Sequence, residues 1–333
     1  MRLVCAIILT VALAASAAYA DDQKTGTRQG TQPKDDPSRI GSRDVGKGIN
    51  IYSLEKEMAL GKQLAQEVQR QAKLVDDPLI SEYVNRLGQN LARNSDAKVP
   101  FSFQVIEGEA PNAFALPGGF VFIYTGLIKI AAEEDELAGA VAHEIAHVAA
   151  RHMTRQATRS QIANLATLPL SVILGGWIGY GVRQGAGVAI PTAFLHFGRK
   201  DEAEADYLGV QYMYAAGYDP TGAISIFEKL ESLEKKKPGL MAKVFGTHPL
   251  DADRIQKAQA EIARILPAKS EYVVNTSEYS AMRDRILSLH NRLKNENKDD
   301  RPQLRVKPGA GGVPGDKTDT EDRPTIRRRD LIE

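Results

Sequence analysis

The chain has 333 residues, enough for one large domain or two small domains with a substantial hydrophobic core. Its 43 lysines and arginines nearly balance 42 aspartates and glutamates, which gives a formal charge of +1. This balance gives no electrostatic reason to expect nucleic acid as a partner. The only cysteine is Cys5, so the residues after it provide neither a disulfide nor a cysteine nucleophile.

Residues 1–20 have the pattern of a cleaved export signal. Arg2 provides a positive charge, residues 3–14 are apolar, and Ala18 and Ala20 form a small-x-small cleavage site. The apolar run is short for a membrane span, so the pattern favours cleavage over an uncleaved anchor. We therefore expect an exported protein.

The next part of the chain predicts a linker followed by two helices. Residues 21–48 are polar and rich in Gly, Pro, Asp, Lys and Arg, which is typical of a disordered linker. Ser53 is a good N-cap for a helix that extends to about Val75. Pro78 suits the first turn of a second helix, which extends to about Arg93.

A short β-structure is predicted next. Residues 101–106 alternate as a half-buried strand does, and a second strand is expected at 120–124. A Pro-Gly-Gly turn precedes the second strand, and this turn follows the extended segment Asn112, Ala113, Phe114 and Ala115. The segment could offer its edge to an unfolded peptide through main-chain hydrogen bonds. The alternative, an ordinary hairpin that only buries one face, remains open.

Residues 137–152 contain the main motif, His-Glu-x-x-His. Their apolar spacing predicts an amphipathic helix, and the acidic residues 133–136 lie at its N-terminus. His143 and His147 lie one turn apart on that helix, so both rings can reach one metal ion. Glu144 lies beside them, where it can take a proton from metal-bound water without being a ligand. The alternative is a chance match on a core helix.

A third metal ligand is expected on a helix that begins near residue 201. Zinc peptidases use three protein ligands and leave one position open for water. Glu202 and Asp206 share one helix face, whereas Glu204 points elsewhere. We therefore expect Glu202, rather than Glu204, to bind the metal and Asp206 to orient a ligand histidine.

Residues 162–193 are apolar and rich in glycine, and they include Pro169 and Arg183. Three interpretations remain open: a mobile lid over the site, a contact with a membrane surface, and a membrane span, against which the proline, arginine and glycines argue. Further helices are expected at 201–216, 220–235, 251–265 and 277–293. Residues 295–333 have the composition of a disordered tail, which leaves 49–294 as the main domain.

Several motifs in order resemble one metallopeptidase family. They are His-Glu-x-x-His, the acidic sequence 202–206, Thr247-His248-Pro249, and the segment 112–119, and the similarity covers about 51–266. The family is the gluzincin group that includes the CAAX prenyl protease, HtpX, the mitochondrial Oma-type proteases and BepA. The chain resembles the BepA-like periplasmic branch, without its helical repeats and without the transmembrane helices of HtpX.

This resemblance implies an α+β fold: a mainly helical, zincin-type metallopeptidase domain with a small β-sheet or hairpin beside the motif helix. It implies one zinc ion per chain, bound by His143, His147 and Glu202. Glu144 would be the general base, and Asp206 would lie behind the ligands.

The resemblance gives His248 two open roles. It could bind zinc as a fourth ligand and silence the enzyme, or it could help to stabilise the oxyanion, and an imidazole near a metal suits either role. His152 and Arg199 also match recurrent family residues, and we expect both to be structural.

The implied function is that of a zinc-dependent metalloendopeptidase in protein quality control. It would hydrolyse unfolded or misassembled envelope proteins in the periplasm. One alternative is a metal-binding, chaperone-like protein whose active site His248 mostly silences. Another is a membrane-associated scaffold that binds no metal.

Overall fold

The computed structural model describes residues 33–165, 197–236, 248 and 252–299. Two short 3-10 helices, Pro33–Asp35 and Pro37–Arg39, come first. The α-helices are α1 (Leu54–Gln71), α2 (Pro78–Arg93), α3 (Thr125–Ile130), α4 (Glu134–Ala149), α5 (His152–Leu165), α6 (Arg199–Ala216), α7 (Thr221–Lys236), α8 (Ala252–Ile265) and α9 (Ser277–Asp299). The strands are β1 (Ser102–Ile106), β2 (Ala113–Leu116) and β3 (Phe120–Tyr124). This mainly helical arrangement with a small sheet confirms the predicted α+β class.

β3 is the central strand of the described sheet. It pairs in parallel with β1 and antiparallel with β2, and Phe122 lies opposite both Gln104 and Phe114. The β2–β3 turn contains Gly118 and Gly119, whose φ angles of 77° and 91° are accessible to glycine without steric cost. β2 therefore lies at one edge of the described sheet, where it contacts α4.

α4 is the central helix of the core. Its side chains Leu137, Val141 and Ile145 are fully buried, and the helix packs against α2, α6, α7 and β2. Gly139 allows α7 to approach closely, because a Cβ there would lie only 2.7 Å from Cα of Ala223. The motif helix is thus held on several sides, so the positions of its polar side chains are fixed by the core around them.

α4 ends three residues earlier than the sequence pattern predicts. Its last residue is Ala149, and Arg151 has a φ of 57°, in the left-handed region that interrupts a right-handed helix. A separate helix, α5, then begins at His152. His152 is therefore the first residue of a new helix, and its Nδ1 lies 3.0 Å from Nδ1 of His147.

α1 also ends earlier than expected, at Gln71 instead of near Val75. The reason is that the following residues join the sheet. Leu74 forms an isolated bridge with Ile106, and the backbone N–H of Val75 donates to the carbonyl of Val105 at 2.9 Å. Main-chain pairing with β1 therefore replaces the last helical turn.

Residues 33–48 pack against the domain, which differs from the expected disordered linker. Arg43 is buried and donates to Asp96 through Nε at 3.0 Å and to Oε1 of Gln211 at 2.6 Å. Val45 belongs to the main hydrophobic core. Polar composition was misleading here, because one buried ion pair and a few apolar contacts hold the segment in place.

We expect Arg43→Ala to lower the free energy of unfolding by about 3 kcal/mol, because it leaves the carboxylate of Asp96 buried without its cationic partner. The loss of unfolding free energy should be near the smallest value expected when a buried ion pair is broken, since Asp96 keeps hydrogen bonds from Gly41 N–H and the Tyr212 hydroxyl. Urea denaturation measures the change. Arg39→Ala, an exposed substitution in the same segment, is the control; equal effects of the two changes would contradict this packing.

Some predicted segments fall beyond the residues that the structure describes. These are the export signal, the apolar stretch from residue 166 to 193, and the tail after Asp299. α5 continues through Leu165, and α9 continues to Asp299, past the start of the expected tail. Within the described ranges, no helix combines the length and apolar character needed to cross a bilayer.

Candidate metal centre

Two histidines of α4 point into one buried space. The Nε2 atoms of His143 and His147 lie 3.0 Å apart, as the one-turn spacing of the motif predicts. Their residues are 6% and 3% exposed. Two imidazole nitrogens so close together, away from water, are arranged to share a positively charged partner.

Glu202, in the first turn of α6, completes the set with His248. Its Oε1 lies 3.3 Å from Nε2 of His147, and its Oε2 lies 3.5 Å from Nε2 of His143. Nδ1 of His248 lies 2.9 Å from Oε1 of Glu202 and 3.4 Å from Nε2 of His143. The four ligand atoms are all within 4.8 Å of one another.

The donor atoms of the cluster fit a zinc ion. Imidazole nitrogen and carboxylate oxygen are the ligands that zinc takes in catalytic sites. Burial alone would raise the pKa of Glu202, but the neighbouring histidines, first His248, hold it well below its usual range. Burial lowers the pKa of His147, so its ring stays neutral. An ionised carboxylate and a neutral imidazole are the forms that bind metal.

Glu144 faces the same space from the other side of the motif. It is 4% exposed, and its Oε1 lies 3.5 Å from Nε2 of His248. Burial raises the pKa of Glu144, and the nearby rings of His248 and His143, with a smaller effect from the backbone amide of Ala115 in β2, partly counteract this. Among the described residues, no group hydrogen-bonds Oε2 of Glu144. The carboxylate therefore has a free oxygen beside the cluster, in a site where accepting a proton is favourable.

Asp206 and Arg254 lie behind the cluster. Oδ1 of Asp206 is 2.9 Å from Nδ1 of His143, which is where the sequence analysis expected an orienting carboxylate. Arg254, from α8, contacts two of the acidic residues of α6, with Nη2 2.7 Å from Asp206 and Nη1 2.8 Å from Oε2 of Glu202. The sequence alone does not indicate Arg254, because one arginine in an amphipathic helix gives no signal of a buried role.

His147 has its own partners behind the ring. Nδ1 of His147 lies 3.0 Å from Nδ1 of His152, and Nε2 of His152 lies 3.1 Å from Oε2 of Glu204. Phe197 stacks on His147 with ring centroids 4.0 Å apart. Glu204 thus points away from the cluster, as its place on the helix predicts, while Glu202 points into it.

The segment expected to bind substrate coincides with β2. Ala113, Phe114 and Ala115 are in the strand, and the carbonyl of Asn112 accepts a hydrogen bond of 2.9 Å from Tyr124 N–H. The strand lies at the sheet edge next to α4, but its residues are only 1–6% exposed. The structure therefore places the segment next to the motif helix, with its side chains buried.

Known proteins resemble this chain over a region that contains the candidate metal centre. Residues 78–262 match peptidase family M48. The chain is 30% identical over 260 residues to the beta-barrel assembly-enhancing protease of Yersinia pestis, covering 74% of this chain and 52% of that protein. It is 34% identical over 183 residues to the mitochondrial metalloendopeptidase OMA1 of Schizosaccharomyces pombe, covering 53% of this chain and 51% of that protein.

A third relative, the metalloprotease LoiP of Escherichia coli, is 28% identical over 213 residues, which cover 62% of this chain and 82% of that protein. The chain spans about half the length of the beta-barrel assembly-enhancing proteases that it matches. The family match includes His143, Glu144, His147 and Glu202 and covers more than half of the chain. The family resemblance is thereby confirmed, and the chain belongs to peptidase family M48.

Proposed function

We propose that this protein is a zinc-dependent metalloendopeptidase that cleaves unfolded or misassembled envelope proteins. The observation that supports this most directly is the buried group of His143, His147 and Glu202 with the carboxylate of Glu144 beside it. Three ligands and an adjacent acid are what metal-assisted hydrolysis of a peptide bond requires.

A zinc ion at this group supplies Lewis-acid chemistry: it lowers the pKa of water to about 7 and polarises a carbonyl. Glu144 is the general base, and its Oε2 accepts the proton of the attacking water. The same carboxyl group then gives this proton to the leaving amine. Burial favours the protonated form of Glu144, so the proton can be retained between the two transfers.

The position of β2 supports an extended substrate. A peptide that pairs with the outer edge of this strand would run past Ala115, whose backbone amide is close to Glu144. Main-chain pairing is tolerant of sequence but requires an extended chain, which predicts a preference for unfolded proteins.

The proposed location is the periplasm, from the export signal in residues 1–20 and from the family branch that the motifs resemble. Relatives named beta-barrel assembly-enhancing protease support a role in envelope protein quality control. We also propose that residues 162–193 either form a lid over the site or contact a membrane surface. Either arrangement would place apolar sequence near unfolded substrate.

The test uses one peptide in two forms, flexible and closed into a hairpin by a disulfide. We expect purified mature protein with zinc to cleave the flexible form and to cleave the hairpin much more slowly. A chelator should abolish the activity, and added zinc should restore it. Equal cleavage of both forms would refute edge binding, and activity that resists the chelator would refute metal-dependent hydrolysis.

The alternative function, a chaperone-like protein with a mostly silenced site, is favoured by one observation. His248 lies within the ligand group, with Nδ1 2.9 Å from Glu202, so it can occupy the position that water needs. If His248 silences the site in this way, His248→Ala should raise peptidase activity severalfold, measured as the initial rate on the flexible peptide. A fall in activity would instead indicate that His248 stabilises the oxyanion.

A further inference from the structure

His147 has a buried partner on the side of its ring that faces away from the metal ligands. Its Nε2 points into the cluster, 3.3 Å from Oε1 of Glu202. Its Nδ1 lies 3.0 Å from Nδ1 of His152. His152 is 0% exposed, so water is excluded from its ring. The tautomer of His147 is therefore decided by protein groups alone.

The protons in this contact have one consistent arrangement. A neutral imidazole carries a single N–H. When Nε2 of His147 serves as a metal ligand, its proton is on Nδ1, so Nδ1 of His152 must accept it. The proton of His152 is then on Nε2, which lies 3.1 Å from Oε2 of Glu204. A carboxylate only accepts, so the chain of donors ends at Glu204.

We infer that His152 and Glu204 are positioning residues, which hold His147 in the tautomer that leaves Nε2 free for the metal. The inference rests on the proposed zinc site. It gives the acidic residues of α6 distinct tasks. Glu202 faces the histidine ligands, Asp206 contacts Nδ1 of His143 directly, and Glu204 acts on His147 through His152.

The helix repeat explains why Glu204 acts on His147 through His152 and not directly. Glu204 is two residues from Glu202, which places it about 200° around the helix axis. Its carboxylate therefore cannot reach the ligand histidines from inside the cluster. The break at Arg151 starts α5 in a new direction, and this brings the imidazole of His152 between Glu204 and His147.

A purely structural role for Glu204 makes a different prediction. The same oxygen, Oε2, lies 3.3 Å from Nη1 of Arg155, so Glu204 could serve only to anchor α5 on α6. In that case, removal of Arg155 and removal of the Glu204 carboxylate would have the same effect. If Glu204 acts through His152, only the loss of its oxygen acceptor affects the metal site.

The experiment measures the zinc dissociation constant of the folded full chain by competition with a chromogenic chelator. Glu204→Leu should weaken binding about 10–100-fold, as the loss of a partner behind a ligand histidine does. Glu204→Gln keeps an oxygen that accepts from His152, so it should restore most of the affinity. Arg155→Leu should change the affinity by less than about tenfold, below the range for such partners.

A measurement on the unmodified protein does not depend on any variant folding. In ¹⁵N spectra of the zinc-loaded chain, we expect the proton of His147 on Nδ1 and that of His152 on Nε2. A His152 proton on Nδ1, or equal losses of affinity in Glu204→Leu and Arg155→Leu, would overturn the inference alone. A wild-type chain that binds no zinc would overturn the proposed function together with it.

Discussion

Glu144→Gln should keep its zinc and lose peptidase activity by about 10²–10⁴-fold. The amide has nearly the same shape as the carboxylate but cannot take a proton from water. Glu144 lies beside the ligand group without belonging to it, so the substitution should leave metal binding unchanged. The measurement is the turnover rate on a flexible peptide, with zinc per chain determined in the same sample.

Glu107→Gln is a suitable control, because Glu107 forms a partly exposed ion pair with Lys73 and does not belong to the ligand group. It should retain both zinc and activity. If Glu144→Gln cleaved at more than about a tenth of the wild-type rate, its loss would be too small for a general base, and that role would be wrong.

Arg254→Ala should lower the unfolding free energy of the metal-free protein by about 3–5 kcal/mol. Arg254 contacts the carboxylates of Glu202 and Asp206 at 2.8 and 2.7 Å, and both acids are buried. Its removal leaves two negative charges close together in a buried site. Zinc adds positive charge next to Glu202, so the loss measured in excess zinc should be smaller than the loss measured with chelator.

The matched control is Arg159→Ala, which also removes the arginine of an ion pair with an acidic residue of α6. Arg159 lies 2.7 Å from Asp201, but its side chain is 52% exposed, so the loss should be at most about 1 kcal/mol. Urea denaturation of both variants, with zinc and with chelator, gives the four values needed. Equal losses in the two variants would show that burial of the Arg254 pair contributes nothing.

The parts of the fold that local sequence determines were predictable. The helix from Pro78 to Arg93 has its observed bounds, because Asp77 caps it and Pro78 occupies its first turn. The positions of His143 and His147 on one face of α4 follow from the helix repeat alone. In the same way, the four-residue spacing of Glu202 and Asp206 predicted that both would face the motif helix.

The remaining features depend on contacts between distant parts of the chain. Arg43 is buried by Asp96 and Gln211, which are 53 and 168 residues away, and nothing in its own polar surroundings indicates this. Arg254 and His152 reach the site because tertiary packing places α8 and α5 next to it. Such contacts have no local signal in one sequence, so composition predicted a linker and helical periodicity continued α4 to His152.

The most direct test of the account is zinc per chain in purified mature protein, compared among wild type, Glu202→Ala and Glu144→Gln. We expect about one zinc ion per chain in wild type and in Glu144→Gln, as a complete site of three ligands requires, and almost none in Glu202→Ala. Wild-type protein purified without chelator that contains no zinc would contradict the metallopeptidase proposal, and unchanged zinc in Glu202→Ala would contradict the ligand set.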